Sequence, residues 1–180
     1  FPHIHLPMSL SSVFKRNWAR SLRQPLAWLL VLTLCVACSS SKNAPDSAFL
    51  LLNGQHTTLA DYKGKVLLVN FWATTCVSCV AEMPDLVRTH QQFAPQGFET
   101  IAVAMNYDPP NWVANFAHSR RLPFVVSLDH DGALAKSWGD VSMTPTTFLV
   151  DKHGRIVKQY LGAPDFAVLH RLIEELLAAP

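Results

Sequence analysis

The strongest constraint on the fold is an apolar stretch, residues 66–71, that leads within a few residues to two cysteines, Cys76 and Cys79. A nearly continuous apolar run of this length is typical of a strand that is buried on both faces. The segment that follows the first cysteine has a helical pattern of apolar residues. The sequence therefore predicts a central strand, a short loop and a helix that begins at Cys76.

Two thiols at the start of a helix have a specific chemistry. Unpaired backbone N–H groups and the helix dipole stabilise a thiolate at the first position, so Cys76 is the predicted nucleophile. Cys79 lies one helical turn further on, where it can attack a mixed disulfide formed at Cys76 and close an intramolecular disulfide. Cys79 is therefore the predicted resolving thiol.

Half of a zinc site and a structural disulfide are the two alternative uses of such a cysteine pair. A zinc site needs two further Cys or His ligands at suitable spacing, and none lies nearby in the sequence. The histidines of the later sequence are scattered without ligand spacing: His56, His90, His118, His130, His153 and His170. We therefore expect neither a metal nor another cofactor.

The N-terminal segment has the pattern of an export signal. Residues 15–23 carry four basic side chains, and residues 26–37 are apolar apart from one threonine, as a secretory signal requires. This apolar run is shorter than the roughly 20 residues of a membrane span. The chain begins with Phe1, so we expect Met8 to be the native start and residues 1–7 to lie upstream of it. We assign residues 1–37 to the signal, 38–47 to a linker and 48–180 to one folded domain.

The charge distribution gives no sign of a nucleic-acid surface. Four of the 15 basic residues, but none of the 13 acidic residues, precede Cys38. The remainder of the chain is therefore slightly acidic despite a formal net charge of +2, and we expect no nucleic-acid partner.

A second pair of cysteines, Cys35 and Cys38, lies at the end of the apolar run, where small residues mark signal cleavage. This stretch resembles a bacterial lipoprotein signal, with Ala37 before a lipidated Cys38, although Cys35 stands where that signal usually has Leu. Plain cleavage after Ala37 is the alternative. Lipidation of Cys38 and plain cleavage both predict an exported domain on the periplasmic side of a bacterial membrane, and lipidation adds a lipid anchor. In that oxidising compartment a reductase dithiol needs a partner that keeps it reduced.

The remaining segments alternate between strand and helix patterns, which predicts an α/β fold with a mixed central sheet flanked by helices. Residues 48–58 read as an N-terminal β-hairpin that caps the sheet edge through a two-residue primed turn at Asn53-Gly54. The helix at residues 76–93 contains Pro84. Further strands are predicted at 98–105, 122–128, 146–150 and 155–160, and further helices at 108–118, 131–138 and 164–177, with a central helix-strand insertion.

Together, four stretches resemble the thioredoxin superfamily, and within it the exported TlpA/ResA-like thiol-disulfide oxidoreductases. They are Asn70-Phe71-Trp72-Ala73, Cys76-Val77-Ser78-Cys79, Glu82-Met83-Pro84 and residues 144–151. The resemblance covers about residues 48–177. It implies a cis peptide between Thr144 and Pro145 packed against the dithiol, and a Thr144 backbone that pairs with an extended substrate beside Cys76. It also places Trp72 with Thr144 and Pro145 among the substrate-binding residues. A Pro145 that only starts the next strand is the alternative.

Thioredoxin carries a buried Asp where this chain has Asn70, so the carboxylate that handles protons must come from elsewhere. Glu82 follows Cys79 by three residues on the same helical face, and a matching Glu is characteristic of the branch. We assign Glu82 to tuning the thiol pKa values and accepting a proton from Cys79. The alternative is a first-turn glutamate favoured by the helix dipole. Two residues depart from the pattern of this branch, which often has Trp before the first cysteine and Pro before the second. This chain has Thr75 and Ser78 at these positions.

The expected function is an exported enzyme that reduces disulfides of exported proteins through Cys76 and Cys79 and is itself reduced by an upstream membrane thiol reductant. The reductive direction is implied by the resemblance. A thiol peroxidase on the same fold is an alternative, although it usually uses a more remote resolving thiol. A Cu(I)-binding dithiol chaperone is another, although no Met or His cluster accompanies the pair.

Overall fold

The computed structural model describes residues 42–180; the predicted signal and Cys38 lie outside the described part. The described residues form eight strands and four α-helices. The strands are β1 (Lys42–Asn43), β2 (Ala48–Leu51), β3 (His56–Thr58), β4 (Val66–Trp72), β5 (Phe98–Ala104), β6 (Val125–Leu128), β7 (Thr146–Val150) and β8 (Arg155–Leu161). The helices are α1 (Val77–Phe93), α2 (Pro110–Arg120), α3 (Ala133–Ser137) and α4 (Phe166–Ala178), with short 3-10 helices at Leu59–Tyr62 and Ala94–Gln96.

All eight strands belong to one mixed sheet in the order β1-β8-β7-β4-β5-β6-β2-β3. The pairs β4·β5 and β5·β6 are parallel, and the other pairs are antiparallel. The central position of β4, between β5 and β7, agrees with the strand predicted from its apolar run. The mixed sheet flanked by helices confirms the predicted fold class.

Two hydrophobic cores lie on opposite faces of the sheet. Alternate residues of β4 enter each core, because successive side chains of a strand point to opposite faces. Leu68 and Trp72 pack in the core that includes residues of α1, α2 and α4, whereas Val69 and Phe71 pack in the core that includes α3. Every residue of β4 is buried, which confirms the burial of both faces predicted from its composition. No helix within residues 42–180 has the length and apolarity needed to cross a membrane.

The hairpin of β2 and β3 lies at the sheet edge as predicted, but its turn differs. A three-residue loop separates Leu51 from Gln55, whose backbone carbonyl accepts from Leu51 N at 2.8 Å. Gly54 is left-handed (φ 80°) while Asn53 is not, whereas a two-residue primed turn of the Asn-Gly type requires a positive φ at both positions. Asn53 instead accepts from Gln55 N through its Oδ1 at 3.0 Å, a local turn bond that an ordinary backbone conformation permits.

The segment assigned to a linker, residues 38–47, contributes a short strand to the sheet. Lys42 and Asn43 of β1 pair with Ile156 and Arg155 of β8, and Ala44 N donates to Gly154 O at 2.8 Å. This strand covers part of what would otherwise be a free edge of β8. The ordered fold therefore begins before residue 48.

Candidate active site

The two cysteines lie where the loop after β4 enters α1. Cys76 is the N-cap of this helix, and Cys79 N donates to Cys76 Sγ at 3.2 Å. The two sulfur atoms form a disulfide with a Cα–Cα distance of 5.2 Å. Cys76 is partly exposed, whereas Cys79 is completely buried. The sulfur that another molecule can reach is therefore that of Cys76, which also faces the N–H groups at the helix start.

Two oxygen atoms lie close to the sulfur of Cys76. The hydroxyl of Ser78 and the carbonyl oxygen of Thr144 are each 3.5 Å from Cys76 Sγ. The sequence identified Ser78 only as a departure from the family pattern. The contact between Ser78 and the sulfur depends on the geometry of the first helical turn. A hydroxyl at this distance can donate to a thiolate.

The peptide bond between Thr144 and Pro145 is cis, as the family resemblance implies. Pro145 is buried, and its carbonyl oxygen accepts from Gly162 N at 2.8 Å. Thr144 makes no backbone–backbone hydrogen bond with another of residues 42–180. The loop therefore places beside Cys76 a backbone that is not hydrogen-bonded to another strand.

Trp72 does not lie where a substrate-binding residue is expected. Its side chain is 0% exposed, and its ring packs against Phe116 of α2 with ring centroids 5.1 Å apart. This corrects the assignment of Trp72 to the substrate-binding residues. The physical reason is that Trp72 is still part of β4, all of whose residues are covered by the two cores.

Glu82 lies in the core beneath the disulfide, one helical turn after Cys79. It is 3% exposed, and its Oε1 accepts from Asn70 Nδ2 at 2.9 Å, while its Oε2 is buried without a hydrogen-bond partner among the described residues. Burial raises the pKa of Glu82 to about 7, and the hydrogen bond from Asn70 opposes part of that rise. Glu82 is the sixth residue of α1 and lies beyond its first turn, so the helix-dipole alternative does not account for this carboxyl. A carboxyl that titrates near pH 7 can both take and return a proton.

The loop between β4 and α1 is held by a residue that sequence reasoning did not connect with the site. Asp108 is buried, and its carboxylate accepts from Thr74 N at 2.5 Å and from Thr74 Oγ1 at 2.6 Å. The neighbouring Tyr107 contacts Thr144 through their hydroxyl groups at 3.4 Å. No local signal identifies these partners, because Asp108 is 34 residues from Thr74.

Among residues 42–180 no three His, Cys, Asp or Glu side chains come together in a way that could hold a metal ion. Cys38, the predicted lipidation site, lies outside the described residues. The described site therefore consists of the disulfide, the cis-proline loop, the buried Glu82 and the loop held by Asp108.

A helix that starts with a cysteine pair beside a cis-proline loop, on a mixed sheet, defines a thioredoxin-fold protein with a redox dithiol. The family model described as Redoxin matches residues 39–173. The thiol-disulfide oxidoreductase ResA of Bacillus subtilis (strain 168) is 35% identical over 132 residues, which cover 73% of each chain. ResA of Geobacillus thermodenitrificans is 35% identical over 126 residues, covering 70% of this chain and 71% of the relative.

Solved structures give the same result. A thiol:disulfide interchange protein from Chlorobium tepidum TLS has a TM-score of 0.70 at 25% identity, over 77% of this chain and 97% of the other. A candidate thioredoxin from Neisseria meningitidis has a TM-score of 0.70 at 38% identity, over 76% and 90%. The chain belongs to the redoxin family, as a TlpA/ResA-like member of the thioredoxin superfamily, and is a thiol-disulfide oxidoreductase.

Proposed function

We propose that this protein is an exported reductase that transfers electrons from the Cys76/Cys79 dithiol to disulfides of client proteins. The observation that carries the proposal is the difference in burial between the two sulfurs. Cys76 is partly exposed beside Thr144, whereas Cys79 is completely buried on the same helix as Glu82. The sulfur of Cys76 is thus accessible to a client protein, whereas the buried sulfur of Cys79 resolves the mixed disulfide.

In the first step, the thiolate of Cys76 attacks one sulfur of the client disulfide. A mixed disulfide forms at Cys76, and the other client sulfur leaves as a thiolate that takes a proton from solvent. The Cys79 thiol then gives its proton to Glu82, and the resulting thiolate attacks Cys76 Sγ. The Cys76–Cys79 disulfide closes and the second client sulfur is released, so two electrons have moved from the protein to the client.

The client is proposed to bind as an extended segment that pairs with the Thr144 backbone. The Thr144 backbone, which is not hydrogen-bonded to another strand, supports this mode, because strand addition uses main-chain hydrogen bonds. Exposed apolar side chains lie next to the contacts at Cys76 and Thr144: Val77 is 86% exposed, Met143 59% and Tyr107 57%. These residues would contact apolar side chains on either side of the client cystine.

Export and membrane attachment form the second part of the proposal. The basic and apolar pattern of residues 15–37 supports export, and the lipoprotein-like residues around Cys38 support a lipid anchor on the periplasmic side of the membrane. Because that compartment is oxidising, a membrane thiol reductant is proposed to return the disulfide to the dithiol.

Trapping tests the proposed reaction. In the Cys79→Ala protein the mixed disulfide at Cys76 has no resolving thiol, so exported client proteins should stay attached and be identified by mass spectrometry. The Cys76→Ala protein, which has no nucleophile, is the matched control and should trap nothing. Equal trapping by both variants, or trapping by neither while the parent consumes peroxide, would contradict a disulfide reductase.

Membrane attachment is tested separately in a bacterial host that receives the chain with its signal intact. The parent should sediment with the membrane fraction, and replacing Cys38 by Ser should release the protein because the lipid acceptor is lost. Identical fractionation of the two proteins would rule out a lipid on Cys38 and leave plain cleavage or an uncleaved anchor.

A further inference from the structure

Asn70 lies on β4 beneath Glu82 and is completely buried. Its amide nitrogen donates twice, to Glu82 Oε1 at 2.9 Å and to Thr147 Oγ1 at 2.8 Å. Thr147 lies directly opposite Asn70 in the register of the antiparallel pair β4·β7. The three side chains therefore form one continuous buried contact from β7 through β4 to α1.

The geometry of an amide determines what this contact does. The two N–H bonds of an asparagine lie in one plane, and rotation about the terminal side-chain torsion turns both together. When one N–H bond is directed to Thr147, the other therefore has a defined direction, which is towards Glu82 Oε1. Without Thr147 the amide would be free to turn away from the carboxyl.

The same contact makes the two oxygens of Glu82 unequal. Oε1 is hydrogen-bonded, while Oε2 and the amide oxygen of Asn70 are buried without partners among the described residues. A buried polar atom without a partner is uncommon in native structures, and a catalytic role is one of its explanations. An oxygen that already accepts a hydrogen bond from Asn70 is the poorer site for a proton, so Oε2 is the better one.

We propose that Asn70, oriented by Thr147, is a positioning residue that holds Glu82 through Oε1 and leaves Oε2 as the oxygen that gains and loses the proton. The inference rests on the proposed function, in which that proton comes from Cys79. An amide suits this role because it remains a donor at every pH, whereas an aspartate at position 70 would repel the ionised Glu82. The hydrogen bond stabilises the ionised form of Glu82 against the effect of burial.

The test is an infrared titration of the oxidised protein. The carboxyl band of Glu82 is identified as the band that the Glu82→Gln variant lacks, and its midpoint is measured for each variant. Thr147→Val, which removes the acceptor at nearly constant size, should raise the midpoint. Asn70→Leu should raise it by about one pH unit, a tenfold change in proton affinity, because a hydrogen bond to a charged group is lost. Thr147→Ser keeps the hydroxyl and should have the same midpoint as the parent.

The outcomes separate this inference from the proposed function. An unchanged midpoint in Thr147→Val and Asn70→Leu overturns the positioning role, and so does the absence of a titrating Glu82 band in the parent. If Asn70→Leu does not fold, the comparison of Thr147→Val with Thr147→Ser decides alone. The titration needs no turnover, so shifted midpoints in a protein that reduces no client would sustain the inference and refute the reductase.

Discussion

At the scale of single residues, the sulfur of Cys76 is distinguished from that of Cys79 by its surroundings. The Cys79 N–H group lies 3.2 Å from it and the Ser78 hydroxyl 3.5 Å from it. Both can stabilise a thiolate on Cys76 after the disulfide is reduced, since hydrogen bonds to a charged atom are stronger than those between neutral groups. Ser78 stands where the TlpA/ResA-like branch often has Pro, which carries no hydroxyl and could not act as this donor.

Replacing Ser78 by Ala should raise the pKa of the Cys76 thiol by about half a unit to one unit, because a donor to the thiolate is lost. The measurement is the pH dependence of the alkylation rate of Cys76 in the reduced protein. Ser78→Thr keeps the hydroxyl and should behave like the parent. A Ser78→Ala curve that superimposes on the parent curve would show that the hydroxyl does not act on the thiolate.

At the scale of elements, the site depends on hydrogen bonds between two loops. One loop joins β4 to α1, and the other joins β5 to α2. Asp108, just before α2, accepts two hydrogen bonds from Thr74 in the loop that carries Cys76. Because Asp108 is 4% exposed and Thr74 is partly buried, these bonds are partly shielded from water, and their loss would leave partly buried donors without partners. The connection therefore keeps the start of α1, and with it the dithiol, in position relative to the start of α2.

The Asp108→Ala variant should lose about 2 to 3 kcal/mol of unfolding free energy in the oxidised state, because two hydrogen bonds to a carboxylate disappear together. Urea unfolding measures this loss. Thr74→Val removes only the hydroxyl and should cost about 1 kcal/mol, while Thr74→Ser should be close to the parent. Equal stability of parent and Asp108→Ala would mean that the loop is held by other contacts.

At the scale of the whole molecule, the dithiol and the short strand β1 lie towards opposite ends of the strands of the sheet. Thr146, which follows the cis-proline loop, pairs with Leu161 at one end of β8, whereas β1 pairs with Ile156 and Arg155 at the other end. The buried side chain of Glu82 joins α1 to the sheet through its hydrogen bond with Asn70 of β4, so its ionisation affects the stability of the entire fold.

The contribution of Glu82 to the unfolding free energy of the oxidised protein should fall as the pH rises from about 4.5 to 7. The pKa of Glu82 is raised from the ordinary value of 4.5 to about 7, so the protonated form is preferred in the folded state. Below pH 4.5 Glu82 is protonated in both the folded and the unfolded protein, and its contribution to stability is fully present. Above pH 7 Glu82 is ionised in both states and this contribution, about 3 kcal/mol, is lost.

The measurement is urea unfolding of the parent and Glu82→Gln proteins over this pH range. The difference between them should change by that amount, since Gln does not titrate. Burial lowers the pKa of His90, whose effect has the opposite direction, but His90 is present in both proteins and cancels in the difference. A difference that does not change with pH would mean that Glu82 has an ordinary pKa in the folded protein.

The parts of this protein that the sequence by itself determined are those set by local physical chemistry. The apolar run of residues 66–71 identified the central strand, because so short a run with so few polar residues is typical of a strand covered on both faces. The spacing of Cys76 and Cys79 at a helix start identified the dithiol, and the position of Glu82 one turn later placed its carboxyl on the same face. Neighbours along a strand or a helix suffice for each of these conclusions.

Only the tertiary structure decided which distant groups meet. The hydrogen bond of Asn70 to Thr147 joins residues 77 positions apart, and that of Asp108 to Thr74 joins residues 34 positions apart. Periodicity and propensity give no signal for such pairs, because which strands are neighbours is set by how the whole chain packs. The burial of Trp72 has the same origin. A tryptophan beside a cysteine pair is compatible with a surface or a core position, and the packing of α2 onto β4 determines which one it occupies.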